Sequence, residues 1–370
     1  MLYFLFLHHS APACRQASQQ NGYYMLHNPA CSRRLAGPRI CTYLFAIPNS
    51  TNNHTKSSLL KKLPATEKTI SKKIGRKIKS PILVSDLNDL GLDAKTFIQF
   101  FSPLFAELNW DPYDVRRLQG EFLMKAFPKD KSLIEKRLPD YYVGKKDKRT
   151  YQKWINQLSK NKRKQFEAIQ PWRRRSVCKF ILTELKKGIK IQRVAVPQFA
   201  QEVSGEDLRS LPRVFDESPA HHVENEPFYD LMIKVFNIVK TKRSNIGKKV
   251  KRVSFTAHFM SVKATSEKAG DNSPEGAHED GVDYIISALV INRFNLKGGQ
   301  SQILELLPNH KKEIIFRHTL RPGQFVFQAD TRDEIVYGTD LWHHVTPFYL
   351  SKKEKGEGWR DIIGFDIMVG

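Results

Sequence analysis

In the segment "PEGAHEDGVD", Pro274 to Asp283, a histidine and an aspartate stand two residues apart among turn-forming glycines. Side chains at i and i+2 of an extended backbone project to the same side, so His278 and Asp280 can reach one point while Glu279 faces away. An imidazole nitrogen and a carboxylate oxygen on one short segment make a clip for a metal ion. A third donor must come from another strand, and "DLWHHVTPFYL" offers His343, 63 residues after Asp280, and His344. Two imidazoles and one carboxylate on a face form the facial triad of non-haem Fe(II) oxygenases, which leaves three coordination positions open. Each signal alone is weak, since an HxD pair commonly marks a solvated turn and a strand histidine is commonly a satisfied sheet residue. Their order weighs more: the clip, strand-like sequence, His-x-Val-x-Pro, then Arg360 in "GWRDIIGF", 17 residues after His343. A guanidinium at the head of an apolar strand suits a carboxylate partner held by two bonds, with a surface arginine as the plainer reading.

Other residues of the segment have work to suggest. Gly276 and Gly281 flank the clip and let the backbone turn. Asp283 can accept from a ligand imidazole N–H, or simply form a turn. Arg293 and Asn295, two apart at the end of "DYIISALVINRFN", either face the pocket together or form a rim salt bridge. Gly298-Gly299 reads as a hairpin turn, and Ser301 as lining the site. His258 lies on an alternating strand and reads as a core histidine, whereas His221, His222 and His318 have no evident partner.

These residues need a β scaffold. From residue 250 onward the apolar runs are short and strand-like, with "LRPGQF" carrying the Pro-Gly pair that a type II turn favours. Many strands with few helices between them argue an antiparallel sandwich or small barrel. Upstream the pattern is helical: "DAKTFIQFFSPLFAELN" with Asp93 at its start, then stretches around 113–127, 148–169 and 220–240. The chain therefore reads as mainly β with N-terminal helices, α+β overall. It divides into a basic, low-order tail or targeting segment at 1–85, a helical basic region at 86–170 and a β domain at 171–370.

The net charge of the 370 residues is +23, and its distribution matters more than its sum. Residues 1–80 hold 13 Lys/Arg and one acid, and residues 81–200 hold 25 and 13, so the excess lies upstream of the clip. Bases interleaved with Tyr151, Trp154 and Trp172 in the 145–175 region keep a nucleic-acid partner open. Cys14, Cys31, Cys41 and Cys178 show no CxxC spacing, which fits a reducing compartment and no thiolate zinc site. No run approaches the roughly 18 apolar residues of a membrane span. The acid-free stretch 1–66 has the composition of an organelle presequence and equally of a disordered tail or a misassigned start. An intracellular, cytoplasmic location is favoured.

"SPEGAHEDGVDYIISALVINRFNLKGGQSQI", "RPGQFVFQAD", "LWHHVTP" and "WRDIIGFDI" together resemble the bacterial 2-oxoglutarate/Fe(II) dioxygenases typified by isoleucine 4-hydroxylase. The resemblance spans about 170 to 370 and is specific from 274 to 366, with "PWRRRSVCKF" and "VPQFAQ" similar to the family's leading segments. It implies a double-stranded β-helix, or jelly roll. By matched position, it implies Fe(II) held by His278, Asp280 and His343, the last occupying the motif's histidine position. Arg360 would clamp the distal carboxylate of 2-oxoglutarate. The implied reaction uses O2, with ascorbate as reductant in vitro, and hydroxylates a small molecule, a free amino acid being favoured, with succinate and CO2 as co-products. A basic insertion ahead of "PWRRRS" departs from the family pattern. It keeps open an oxygenase acting on RNA or protein, and a non-catalytic nucleic-acid-binding protein on the same fold.

Overall fold

The computed structural model describes residues 42–46, 65–196, 208–331, 336–352 and 356–370. The presequence-like stretch up to residue 41, the linker as far as residue 64 and most of "VPQFAQ" lie outside the described residues. The strands are β1 (Thr42–Ala46), β2 (Ala65–Thr66), β3 (Ile82–Asp86), β4 (Arg173–Leu185), β5 (Gly188–Val194), β6 (Arg252–Thr265) and β7 (Tyr284–Phe294). They continue with β8 (Leu296–Gly298), β9 (Ser301–Leu306), β10 (Lys312–His318), β11 (Gln324–Ala329), β12 (Leu341–Val345), β13 (Phe348–Leu350) and β14 (Glu357–Val369). Antiparallel pairing assembles a long sheet in the order β1-β5-β4-β6-β14-β7-β11-β3-β2, a smaller one in the order β10-β9-β12, and the pair β13-β8.

The long sheet has two unlike faces because its central strands alternate. In β6, Val253, Phe255, Ala257 and Phe259 face one way, and His258, Met260 and Val262 the other. Helices Ala94–Phe101 and Glu226–Ser244 cover the first face. The second helix starts at Asn225, whose Oδ1 accepts from Phe228 N at 3.1 Å, satisfying a donor that the first turn leaves open. Its buried Phe228, Leu231, Met232, Val235, Phe236 and Val239 recur every three or four residues and form one stripe against the sheet. Phe228 stacks on Phe365 of β14 with centroids 5.9 Å apart, and trimming it to Ala would cost about 3–5 kcal/mol. On the second face, Ile303, Ile315 and Leu341 of the small sheet pack against Val84, Ala288, Val290, Val326 and Ile362 of the long one. Toward β4, β6 and β14 the same face lines a cavity instead.

Order begins earlier than residue 86. Strand β3 buries Ile82, Leu83 and Val84 and pairs with β11 and β2, so β2, β3 and the helix Glu67–Ile74 between them belong to the folded domain rather than trailing from it. The helical pattern at 148–169 is broken: Leu158 is extended, with ψ 135°, and Ser159 caps a new helix, Lys160–Glu167. A helix absent from the sequence reading, Lys131–Tyr142, carries Pro139 inside it, a residue that reads as a helix breaker. Strands β4, β6 and β14 are 13, 14 and 13 residues long rather than short, because each crosses from the helix-covered core to the cavity rim. The turn at Pro322-Gly323 is as expected, with Gly323 at φ 87°.

The helices between Tyr113 and Glu167 gather around their own core of Leu123, Ile134, Leu138, Tyr141, Tyr151, Trp154, Leu158 and Phe166. Tyr151 and Trp154 are thus fully buried, and Trp154 Nε1 donates to Asp130 at 2.7 Å. No described helix is long and apolar enough to cross a membrane.

Candidate metal centre

The clip lies in the connection between β6 and β7, and β12 holds it in place. His278 N donates to His343 O and His343 N donates to His278 O, both at 3.0 Å. This reciprocal bridge sets the two residues directly opposite each other, and their imidazole centroids are 4.1 Å apart. Positive φ at Gly276 and Gly281, 83° and 80°, lets the chain turn in and out of the clip. Asp280 reaches between the rings, with Oδ1 3.6 Å from His278 Nε2 and Oδ2 3.4 Å from His343 Nε2. One donor atom from each of the three residues lies within 4.8 Å of the other two. His344 projects to the opposite side of β12, where its Nδ1 meets Gln302 Oε1 at 3.0 Å.

The surroundings prepare these atoms for a cation. His278 Nδ1 lies 3.0 Å from Gly276 O, which can only accept, so Nδ1 carries a proton and Nε2 is the nitrogen turned toward Asp280. Burial, then His278 and His344, pushes the His343 imidazole well below its ordinary pKa and keeps it neutral. Burial also pushes the Asp280 carboxyl well above the carboxylate range, with Asp366, Asp330 and Glu275 adding to the rise. Carboxylates that oppose one another's ionisation beside the neutral His343 imidazole suit a divalent cation, which favours the ionised acids.

The residue supporting the clip is Asp330, at the end of "QFVFQAD", rather than Asp283. Asp330 is fully buried, and its Oδ2 accepts from Asp280 N at 2.9 Å and Val282 N at 3.1 Å. Its Oδ1 stands 4.0 Å from His343 Nδ1, and neither atom has a hydrogen-bond partner among the described residues. Asp283 faces elsewhere: it accepts from Arg243 Nη2 at 2.9 Å and from Val369 N at 2.8 Å, a buried structural pair.

Arg360 is wholly buried on β14 and donates from Nη1 to Asn272 Oδ1 at 2.7 Å. Its Nε and Nη2 have no hydrogen-bond partner among the described residues. Burial, and then Arg293, pushes the guanidinium down to about 9. Arg293, Asn295 and Ser301 do not line the cavity. Arg293 donates from Nη2 to Gly298 O, and Asn295, at φ 53°, bonds Lys352 and Glu357 backbone atoms as a turn staple. Ser301 is buried where β9 pairs with β12.

The cavity encloses about 120 Å³, and besides the three cluster residues its lining includes Asn272 and Glu275. Its polar wall also carries Arg173, Arg175, Arg213, Asp114, His258 and Asp366. His258 is therefore more than a core residue: Nε2 lies 2.8 Å from Asp366 Oδ2, and Nδ1 lies 3.0 Å from Arg175 Nη2. The arginines stand in "PWRRRS", where charge alone gave no sign that alternate residues turn inward. His221 and His222 each place Nε2 3.0 Å from Glu107 Oε2. The buried Nδ1 of His222 has no partner among the described residues, so a proton there would be stranded; the proton sits on Nε2, and the group is a hydrogen-bonded cluster.

No curated protein matches the chain. The crystal structure of a bsmA homolog from Methylobium petroleophilum is similar in fold, with TM-score 0.52 and 17% identity over 84% of this chain and 95% of that one. That of IDO from Bacillus thuringiensis gives TM-score 0.49 and 14% identity over 82% and 95%. The 2OG-Fe dioxygenase family model matches residues 152–366, a span that holds the clip, His343, Asp330, Arg360 and most of the cavity wall. With more than half its length matched, the chain belongs to the 2OG-Fe dioxygenase family, whose members are 2-oxoglutarate-dependent dioxygenases using Fe(II), 2-oxoglutarate and O2.

Proposed function

We propose that His278, Asp280 and His343 hold the ferrous ion, that Arg360 grips the distal carboxylate of 2-oxoglutarate, and that the enzyme hydroxylates a small molecule, a free amino acid being favoured. The observation carrying this is the reciprocal His278–His343 bridge with Asp280 between the two rings. When bound, iron and cosubstrate supply the oxidising chemistry: O2 is cleaved, 2-oxoglutarate leaves as succinate and CO2, and one oxygen atom enters a substrate C–H bond. The protein's own residues present and orient. Gly276 O fixes the His278 tautomer, burial keeps His343 neutral, and Asp330 holds the backbone of Asp280. The two unpartnered donors of Arg360 match a carboxylate in two parallel bonds. The two facing sheets, with the clip and β12 at the mouth of the cavity, are read as the jelly roll that the family implies.

The small, mixed-charge cavity favours a small zwitterionic substrate over a macromolecular one. A nucleic-acid partner on the 145–175 region has less support, because burial of Tyr151 and Trp154 removes aromatic faces that would stack on bases. Conversion of 2-oxoglutarate to succinate, with Fe(II) and ascorbate, tests the reading in wild type beside Asp280→Ala. Turnover only in wild type is expected. Equal turnover in both would remove the assignment of the clip.

A further inference from the structure

Besides the proposed iron-binding residues, the cavity lining carries three arginines that the reaction so far leaves without a role. Arg173 and Arg175 stand two apart on β4 and both turn inward, and Arg213 joins them there. The Arg175 guanidinium lies 4.0 Å from the Phe215 ring centroid and that of Arg213 5.6 Å, so two like charges share one aromatic ring. A guanidinium only donates, so His258 Nδ1 must accept from Arg175 Nη2, and the His258 proton sits on Nε2, donated to Asp366. Ring and imidazole together fix where Arg175 points. Arg173 is held differently, with Nη2 on Asp271 O at 3.0 Å and Nη1 3.5 Å from Asp114. Burial, with Arg213 and then Arg173 adding to it and Asp111 opposing it, pushes Arg175 down to about 10. Clustered guanidiniums withdrawn from water are costly, and a bound anion offsets that cost.

This wall is a different place from Arg360. Strand β6 lies between β4 and β14, and both Arg173 and Arg360 pair with Val262, so two strand spacings, roughly 10 Å, separate their backbones. Arg175 lies a further two residues along β4, opposite Met260. Arg360 does not itself line the cavity and meets its wall through Asn272, so the arginines of β4 and the guanidinium of β14 occupy separate places, suited to two different anions. Glu275, whose Oε1 is 3.2 Å from His278 Nε2, and Asp114 give the same lining acidic groups for an ammonium.

We infer that Arg175, backed by Arg213 across Phe215, binds the carboxylate of the primary substrate, so that the enzyme selects small molecules bearing a free carboxylate and, through Glu275 and Asp114, an amine. The inference rests on the oxygenase reading above and goes further by naming the residue that sets specificity. His258 and Asp366 are positioning residues that aim Arg175.

The test compares each of the twenty L-amino acids with its primary amide as a stimulant of 2-oxoglutarate consumption, in wild type, Arg175→Gln and Arg175→Lys. At least one free amino acid is expected to stimulate wild type, with a KM lower than that of its amide by ~30-fold or more, the size of a lost charge-assisted pair. Arg175→Gln should raise the amino-acid KM by a similar factor while leaving the 2-oxoglutarate KM within about threefold, and should erase the preference for acid over amide. Arg175→Lys should restore part of it. A rise confined to the 2-oxoglutarate KM would assign Arg175 to the cosubstrate and overturn the inference. Equal KM for acid and amide in wild type would overturn it whatever the variants do. If wild type consumes 2-oxoglutarate but no amino acid stimulates it, the inference fails while the oxygenase reading stands; if wild type consumes none, both fall.

Discussion

Replacing Arg360 by Ala tests how the protein grips its cosubstrate. The guanidinium is wholly buried, donates to Asn272 Oδ1, and leaves Nε and Nη2 open among the described residues. A carboxylate that takes both donors forms a charge-assisted fork, and deleting the fork costs ~2–4 kcal/mol of binding. At 1.4 kcal/mol per tenfold, that is roughly 30- to 700-fold in the Kd for 2-oxoglutarate. The same change removes a poorly compensated buried charge, so unfolding without cosubstrate should show a loss of under about 1 kcal/mol, or a gain. The pH dependence has a definite sign. The folded pKa of about 9 lies below the ordinary arginine value, so folding is penalised while the group is protonated, and stability rises as pH climbs above about 9. The grip itself needs the proton, so 2-oxoglutarate affinity should fall above pH about 9 in wild type and stay flat in Arg360→Ala. Anaerobic calorimetric titration of 2-oxoglutarate into the Fe(II)-loaded protein reads the Kd and its pH dependence, and denaturant unfolding of the protein without cosubstrate reads the stability. An unchanged Kd would mean that another base holds the cosubstrate.

Three further outcomes follow from named contacts. Asp330→Ala strips the acceptor from Asp280 N and Val282 N and should weaken Fe(II) binding by ~10- to 100-fold; unchanged iron affinity would reduce Asp330 to a backbone brace. Asp283→Ala strands buried Arg243 and should cost ~3–5 kcal/mol in denaturant unfolding with iron affinity intact; an iron-binding loss as large as that of Asp330→Ala would restore Asp283 as the supporting acid. Burial pushes the Cys178 thiol up to about 12, so iodoacetamide at pH 8 should label its peptide only in denaturant, and rapid labelling of the folded protein would contradict that burial.

The sequence made the clip legible because i, i+2 geometry needs only local backbone; alternation sets His343 and His344 on opposite sides of β12, and it was the resemblance, through the His-x-Val-x-Pro position, that favoured His343. Supporting contacts were harder to read. Asp330 and Asp283 are both acids at strand ends, and only the pairing of β7 with β11 and β14 decides which one turns toward the imidazole. Asn295 looked like a pocket residue from its spacing to Arg293, but a positive φ sends it to the Lys352 turn. The arginines of "PWRRRS" added to the basic total, yet alternation on β4 turns Arg173 and Arg175 into the cavity. Strand β3 escaped notice because it follows a run of lysines; pairing with β11 overrides that composition.

Three side chains binding one ion underlie all of the proposed chemistry. Anaerobic Fe(II) titration of wild type, His278→Ala, Asp280→Ala, His343→Ala and His344→Ala measures this directly. One ion per chain is predicted for wild type and His344→Ala, with binding abolished in the other three. Tight binding by Asp280→Ala, or loss in His344→Ala with His343→Ala spared, would contradict it.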